Sequence, residues 1–145
     1  MKTKIFLFNF ILLSFLITGC DLFEQDQDVR LGLELAKYTF IEADTLKGTF
    51  TVSNLSLNTV SYKFSTNCQY GLKIKSGNVI SKQYPEACLQ VLTSLTLKSG
   101  ESKLYEFKLL LVDNDYNNLT KGDYTVEAFL LNNNSSIVSK SFKIN

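Results

Sequence analysis

The chain has 145 residues, enough for one domain, and carries 15 Lys and Arg against 14 Asp and Glu with no His. A formal net charge of +1 gives no electrostatic footprint for nucleic acid, and without His there is no Ser–His or Cys–His nucleophile, no imidazole metal ligand and no charge switch near neutral pH. At 45% hydrophobic and 20% charged, with seven Gly and one Pro, the composition is globular and excludes a disordered or low-complexity chain.

Lys2 and Lys4 precede an apolar run from Ile5 to Ile17 that only Asn9 and Ser14 interrupt. A helix of that length spans about 20 Å, short of the roughly 30 Å hydrocarbon core, so the segment reads as a targeting signal and a poor permanent span. It ends in Ile17-Thr18-Gly19-Cys20, which resembles the bacterial lipobox: aliphatic, small, Gly or Ala, then Cys. The resemblance implies cleavage between Gly19 and Cys20, a diacylglyceryl group of palmitate type on the Cys20 thiol, and a third acyl chain on its amine. One myristoyl-length chain anchors marginally, at about 0.8 kcal/mol per buried CH₂, whereas two or more give lasting residence. An ordinary secretory signal with a Cys at its boundary is the alternative. Residues 1–19 are thus expected to be a lipoprotein signal peptide. Residues 20–28 are expected to be a lipidated Cys with an acidic tether, whose eight residues from Asp21 to Asp28 reach at most about 27 Å. The expected location is the bacterial cell envelope, with membrane and leaflet left open.

Residues 29–145 read as short strands. Val29, Leu31, Leu33 and Leu35 alternate with polar residues or Gly, and the phase then shifts to put Tyr38 and Phe40 on the apolar face, as a bulge near Ala36-Lys37 would do. Phe50 and Val52 share a face, as do Val60, Tyr62 and Phe64. Tyr70, Leu72 and Ile74 lead to a Gly77-Asn78 turn, after which Val79-Ile80 resumes. Leu89, Val91, Leu95 and Leu97 form an odd-numbered apolar face. Tyr105, Phe107, Leu109 and Leu111 form the next, then Tyr124, Val126, Ala128 and Leu130, and Phe142 with Ile144 come last. Turn signals at Asn54–Asn58, Ser99-Gly100, Asn114–Asn118 and Asn132–Ser136 separate these runs. Some eight strands, one apolar face each, predict an all-β fold, an immunoglobulin-like β-sandwich, with a small closed barrel as the alternative.

With Cys20 acylated, Cys68 and Cys88 remain, and an even pair in an exported domain predicts a structural disulfide, with two free thiols or a redox-active pair as the alternatives. A two-residue turn at Gly77-Asn78 pairs positions summing to 155, and one bulge raises the sum to 156, which Cys68 and Cys88 satisfy.

The run Thr51 to Phe64 reads as strand, Asn turn, strand. Cys68-Gln69-Tyr70-Gly71-Leu72-Lys73-Ile74 follows, then Leu97-Lys98-Ser99-Gly100-Glu101-Ser102, then Lys121-Gly122-Asp123-Tyr124-Thr125-Val126. This order resembles the bacterial intracellular proteinase inhibitor (BsuPI-type) domain, over roughly residues 46–131. The resemblance implies a small Ig-like sandwich in which Asn54 turns the chain, Gly100 makes a tight turn and Tyr124 sits in a tyrosine corner. It also implies a proteinase partner. The chain differs from the family pattern in having Gly71 after Tyr70, no Trp, and a cysteine pair.

The acids are scattered with no pair placed for acid–base work, so the chain reads as non-catalytic and without a cofactor. Lys82-Gln83-Tyr84-Pro85-Glu86-Ala87 is the best candidate for a contact loop, with Gln83, Tyr84, Pro85 and Glu86 as its binding residues. One aromatic, one Pro and a nearby disulfide limit its freedom, and a pre-organised loop loses less entropy on docking. Asp113, Asp115 and Asn117 match the start of a calcium loop, although Asn118 replaces the usual Gly and Tyr124 the usual Glu. The leading expectation is an envelope-anchored Ig-like module that binds a protein or glycan. A proteinase inhibitor is the alternative, and calcium-dependent adhesion a third reading.

Overall fold

A computed structural model describes residues 29–132 and 136–145. The signal-like segment 1–19, Gly19, Cys20 and the tether lie outside these residues, as does part of the Asn132–Ser136 turn. Among the described residues the chain is all-β, with ten strands: β1 (Val29–Leu35), β2 (Thr39–Phe40), β3 (Thr45–Asn54), β4 (Val60–Phe64), β5 (Tyr70–Ser76), β6 (Val79–Tyr84), β7 (Thr93–Leu97), β8 (Ser102–Leu110), β9 (Gly122–Leu130) and β10 (Ile137–Ile144).

One sheet has the order β1-β3-β8 and the other β2-β10-β9-β5-β6, while β4 and β7 form a separate two-stranded ladder. Leu33, Phe50 and Val52 from the first sheet join Leu72, Ile74, Val126, Ala128, Phe142 and Ile144 from the second in one buried apolar cluster. The period-2 alternation produced this core directly, since every second residue of a strand faces the same way. Among the described residues both sheets end in strands paired on one side alone, so the architecture is an open sandwich and not a closed barrel.

The phase shift after Leu35 has a different cause from the expected bulge. β1 pairs antiparallel with β3, then the chain crosses the gap and β2 pairs parallel with β10 in the opposite sheet. Crossing reverses which side of the strand faces the core, so Phe40 is buried; Tyr38, expected on the same face, precedes β2 and is 46% exposed. The expected face at Leu89 and Val91 also fails. β7 begins only at Thr93, and Leu89 and Val91 belong to an irregular, exposed segment. Leu95 and Leu97 are buried as expected.

The Gly77-Asn78 hairpin keeps its expected register. Ser76 pairs with Val79 and Lys75 with Ile80, then the ladder shifts by one residue and Ile74 faces Lys82. Gly71 explains one departure from the family pattern, because a Cβ there would lie 2.8 Å from the Phe129 ring.

Two polar devices lock the turns. Tyr124 donates its phenol hydrogen to the Thr120 carbonyl at 2.9 Å, the tyrosine corner. Asn54 is fully buried at the end of β3. Its Nδ2 donates to the carbonyls of Asn58 (2.7 Å), Leu97 and Lys98 (both 3.0 Å), and its Oδ1 accepts from the Ser56 amide and hydroxyl. The Gly100 amide donates to the Asn54 carbonyl, and Gly100 takes φ +73°, which favours glycine. One amide side chain thus fastens the β3–β4 turn to the β7–β8 turn. Asn54→Ala is expected to lower the unfolding free energy by about 3 kcal/mol, because several buried groups lose their partner together. Urea denaturation checks this, with an unchanged slope showing that the fold itself is kept.

Candidate functional site

The site is built at the end of the β5–β6 hairpin farthest from its turn. Cys68 and Cys88 are joined there, with Cα atoms 5.7 Å apart. Closing a loop of about 20 residues contributes on the order of 3 kcal/mol in the chain-entropy account. The bond also fixes where the chain leaves β6. Beyond it the Leu89 amide donates to Asn67 Oδ1 at 2.8 Å, and the Asn67 amide donates to the Leu89 carbonyl at 3.1 Å.

On one side of the clamp, Cys68, Tyr70, Leu72, Tyr84, Pro85, Tyr105 and Leu109 line most of an open cavity of about 330 Å³ between β5, β6 and β8. The Tyr70 and Tyr105 rings lie 4.7 Å apart, and both phenols are pushed above their ordinary value by burial. Tyr105 donates to Gln69 Oε1 at 2.7 Å, and Gln69 Nε2 donates to the Ser94 carbonyl at 3.1 Å. The Tyr105 hydroxyl and the Gln69 amide are thus engaged within the fold, and the cavity wall offers mainly ring faces and aliphatic carbon.

On the other side lies a cluster absent from the sequence-based expectations. Lys82 is 1% exposed. Its Nζ sits 2.9 Å from Glu86 Oε1, 4.0 Å over the Tyr116 ring and 5.6 Å from the Tyr84 ring. Tyr116 donates its phenol hydrogen to Glu86 Oε2. A buried ammonium survives here because a carboxylate and two π-faces replace its water. The hydrogen bond to Glu86 holds the Lys82 ammonium above its ordinary range against the opposing effect of burial. The Tyr116 hydroxyl, then Lys82, hold the Glu86 carboxyl below its ordinary range. The signal for this cluster was present in the sequence: the 156 register sets Lys82 opposite Ile74, an inward position.

The residues expected to bind therefore separate. Pro85 lines the cavity, Tyr84 lines it and also lies 5.6 Å from Lys82 Nζ, Glu86 belongs to the Lys82 cluster, and Gln83 is exposed on β6 opposite Lys73, in neither. The calcium-like loop is bonded within itself. Asp113 Oδ1 accepts the amides of Asp115 and Asn117, both at 2.9 Å, and Asn117 Nδ2 lies 3.3 Å from Oδ2. These bonds hold the Asp113 carboxyl below its ordinary range. They shape the loop that presents Tyr116, which takes φ +64°. Among the described residues no group of three or more His, Cys, Asp or Glu side chains is placed to hold a metal ion.

Residues 33–135 match the family described as intracellular proteinase inhibitor, BsuPI. The chain belongs to that family. The match extends beyond the expected core of residues 46–131 at both ends, and so takes in part of β1. No curated protein matches the chain. Among solved structures, the fold is similar to parts of an alkylpurine DNA glycosylase from Pseudomonas fluorescens (TM-score 0.56, 13% identity, 81% of this chain and 30% of that one). It is also similar to the sporulation control protein Spo0M from Bacillus subtilis (0.53, 14%, 81% and 49%). A β-glucosidase from Erythrobacter marinus gives 0.52 at 16% identity, over 81% of this chain and 15% of that one. This chain therefore spans less than half of each of those proteins, and at such identities the likeness shows the fold alone.

The Lys82–Glu86–Tyr116 cluster sets a pH dependence. Because the Glu86 carboxyl is lowered from 4.5, its stabilising contribution is complete above that value and is lost as pH falls through the lowered one. Glu86→Gln is expected to lower the melting temperature at pH 7 and to narrow the difference between pH 7 and pH 3. Thermal unfolding of both proteins across that range checks it.

Proposed function

We propose that this BsuPI-family domain acts by stoichiometric contact and not by catalysis, with a peptidase as its partner, and that an acylated Cys20 holds it at a bacterial envelope. The observation that carries the contact reading is the clamped end of the hairpin: a disulfide, a caged lysine and an apolar cavity fix one surface before any partner arrives. Such pre-organisation reduces the ordering cost of docking, which a competitive inhibitor needs more than an enzyme does. The family's description favours a peptidase among protein partners. The cavity favours protein over glycan, since Gln69 and Tyr105 spend their polar groups on each other and Ser94. Calcium-dependent adhesion has less support, because Asp113 is engaged by the amides of its own loop.

The envelope anchor is supported by Ile17-Thr18-Gly19-Cys20 behind an apolar run and by a cysteine pair suited to an oxidising compartment. The family is named for intracellular inhibition, so on this reading the same domain has been put to work on a tether.

Two outcomes are expected. Titrating serine, cysteine and metallopeptidases with the purified protein reduces the activity of at least one enzyme linearly to near zero at equimolar ratio. Unchanged activity across the panel at tenfold excess retires the peptidase partner. Separately, cells fed labelled palmitate incorporate it into the wild-type protein and not into Cys20→Ser; equal labelling of both excludes Cys20 as the acylated residue.

A further inference from the structure

Leu89, Val91 and Leu92, at the core-facing positions of an expected strand or beside them, are instead 69%, 53% and 85% exposed. We infer that Cys88–Leu92 is the segment that enters the partner, and that the partner receives it in an uncharged cleft built for large aliphatic side chains. This inference rests on the peptidase reading above and adds the residues and the cleft chemistry.

Three observations carry it. First, the segment is held out and pinned at both ends to the same short stretch. Cys88 is bonded to Cys68, the Leu89 amide and carbonyl both bond Asn67, and Thr93 donates its hydroxyl hydrogen to the Thr66 carbonyl at 2.8 Å. The Val91 amide donates to the Leu89 carbonyl at 2.9 Å, tightening the span between. Three large apolar side chains close together in water are unfavourable, and a flexible loop would fold them inward; this one is prevented from doing so.

Second, residues Ala87 to Leu97 contain no charged side chain in a chain that is 20% charged. Interface centres are depleted in charge, and an uncharged prong is complementary to an uncharged cleft, whereas a cleft with an acidic floor would have nothing to pair with. Third, Asn67 and Cys68, which fasten the segment, also line the apolar cavity beside Tyr70 and Tyr84. Prong and cavity are therefore adjacent parts of one surface, the prong entering the partner while the cavity accepts a side chain from it. The flanking Lys82 is caged by Glu86 and Tyr116 and lends no basic rim of the kind that seats a loop on anionic lipid.

The test uses the full-length protein purified in detergent. Inhibition is expected for serine peptidases with apolar primary pockets, of chymotrypsin and elastase type, and not for trypsin-type enzymes with an acidic pocket. Leu92→Asp and Leu89→Asp are each expected to weaken inhibition by about 30-fold or more, the level of a central anchor, with unchanged melting temperature. Leu57→Asp, 92% exposed at the opposite end of the β4–β7 ladder, should leave inhibition unchanged. Leu92→Ser serves as a milder variant should an Asp variant fail to fold. Amide exchange at residues 89–92 is expected to slow in the equimolar complex.

Wild-type inhibition that Leu89 and Leu92 variants retain overturns the assignment of the segment while leaving the peptidase reading intact. Absence of inhibition across the panel removes the peptidase reading, and the assignment with it. Slowed exchange in the protein reconstituted into phosphatidylethanolamine–phosphatidylglycerol vesicles, with none on adding peptidase, overturns the assignment in favour of a lipid surface.

Discussion

The bond between Cys68 and Cys88 closes the far end of a hairpin whose two strands have already diverged. β6 stops at Tyr84, and the chain then runs without strand structure until β7 begins at Thr93. Without a covalent tie, the stretch from Pro85 to Leu92 would have almost no ladder hydrogen bonds to hold it. With the tie, Asn67 can meet Leu89 and Thr66 can meet Thr93, and an irregular crossing becomes a fixed surface. The Lys82 cluster does the same on the other flank, where a charge is kept in place by one carboxylate and two rings.

These local devices depend on a core that is built elsewhere. The two sheets bury Phe50, Ile74, Val126 and Ile144 completely, and that apolar layer fixes the inward face of each strand. The devices then act at the ends: Asn54 joins two turns, Tyr124 locks a crossover, and Asp113 curls the loop that presents Tyr116. Each satisfies buried or half-buried polar groups that would otherwise cost free energy. The molecule has its stability in its middle and the contact surface proposed above at one end, which is the usual division for sandwiches that bind through loops.

A family defined by inhibition inside the cell here carries a leader-like segment, a lipobox-like sequence and a disulfide pair. The three features are chemically consistent with one another. On the anchoring proposed above, a tether of few residues would restrict the domain to partners near the membrane, and the raised local concentration would let a modest contact surface suffice. A disulfide in turn stabilises a small domain in the compartment where such bonds persist.

Much of this was legible in order along the chain. Alternation at period 2 gave the inward residues of β3, β5, β8, β9 and β10. The Gly77-Asn78 turn with one bulge gave the register that brings Cys68 to Cys88, because hairpin geometry is local and fixes pairing by counting. Gly100, Asn54 and Tyr124 were readable for the same reason. Three things needed the tertiary structure. The shift after Leu35 is a move between sheets, and facing direction depends on which sheet a strand joins. Leu89 and Val91 alternate like core residues, yet they are out in solvent because the disulfide and Asn67 hold that backbone off the ladder. The hairpin register marks Lys82 as inward with Glu86 four residues on, but Tyr116 lies 30 residues beyond Glu86, and only the meeting of β6 with the 113–117 loop completes the cluster. The sequence by itself determined which residues want to be buried and how neighbouring strands pair; the tertiary structure decided which of them are prevented from burial, because that depends on contacts between segments far apart in the chain.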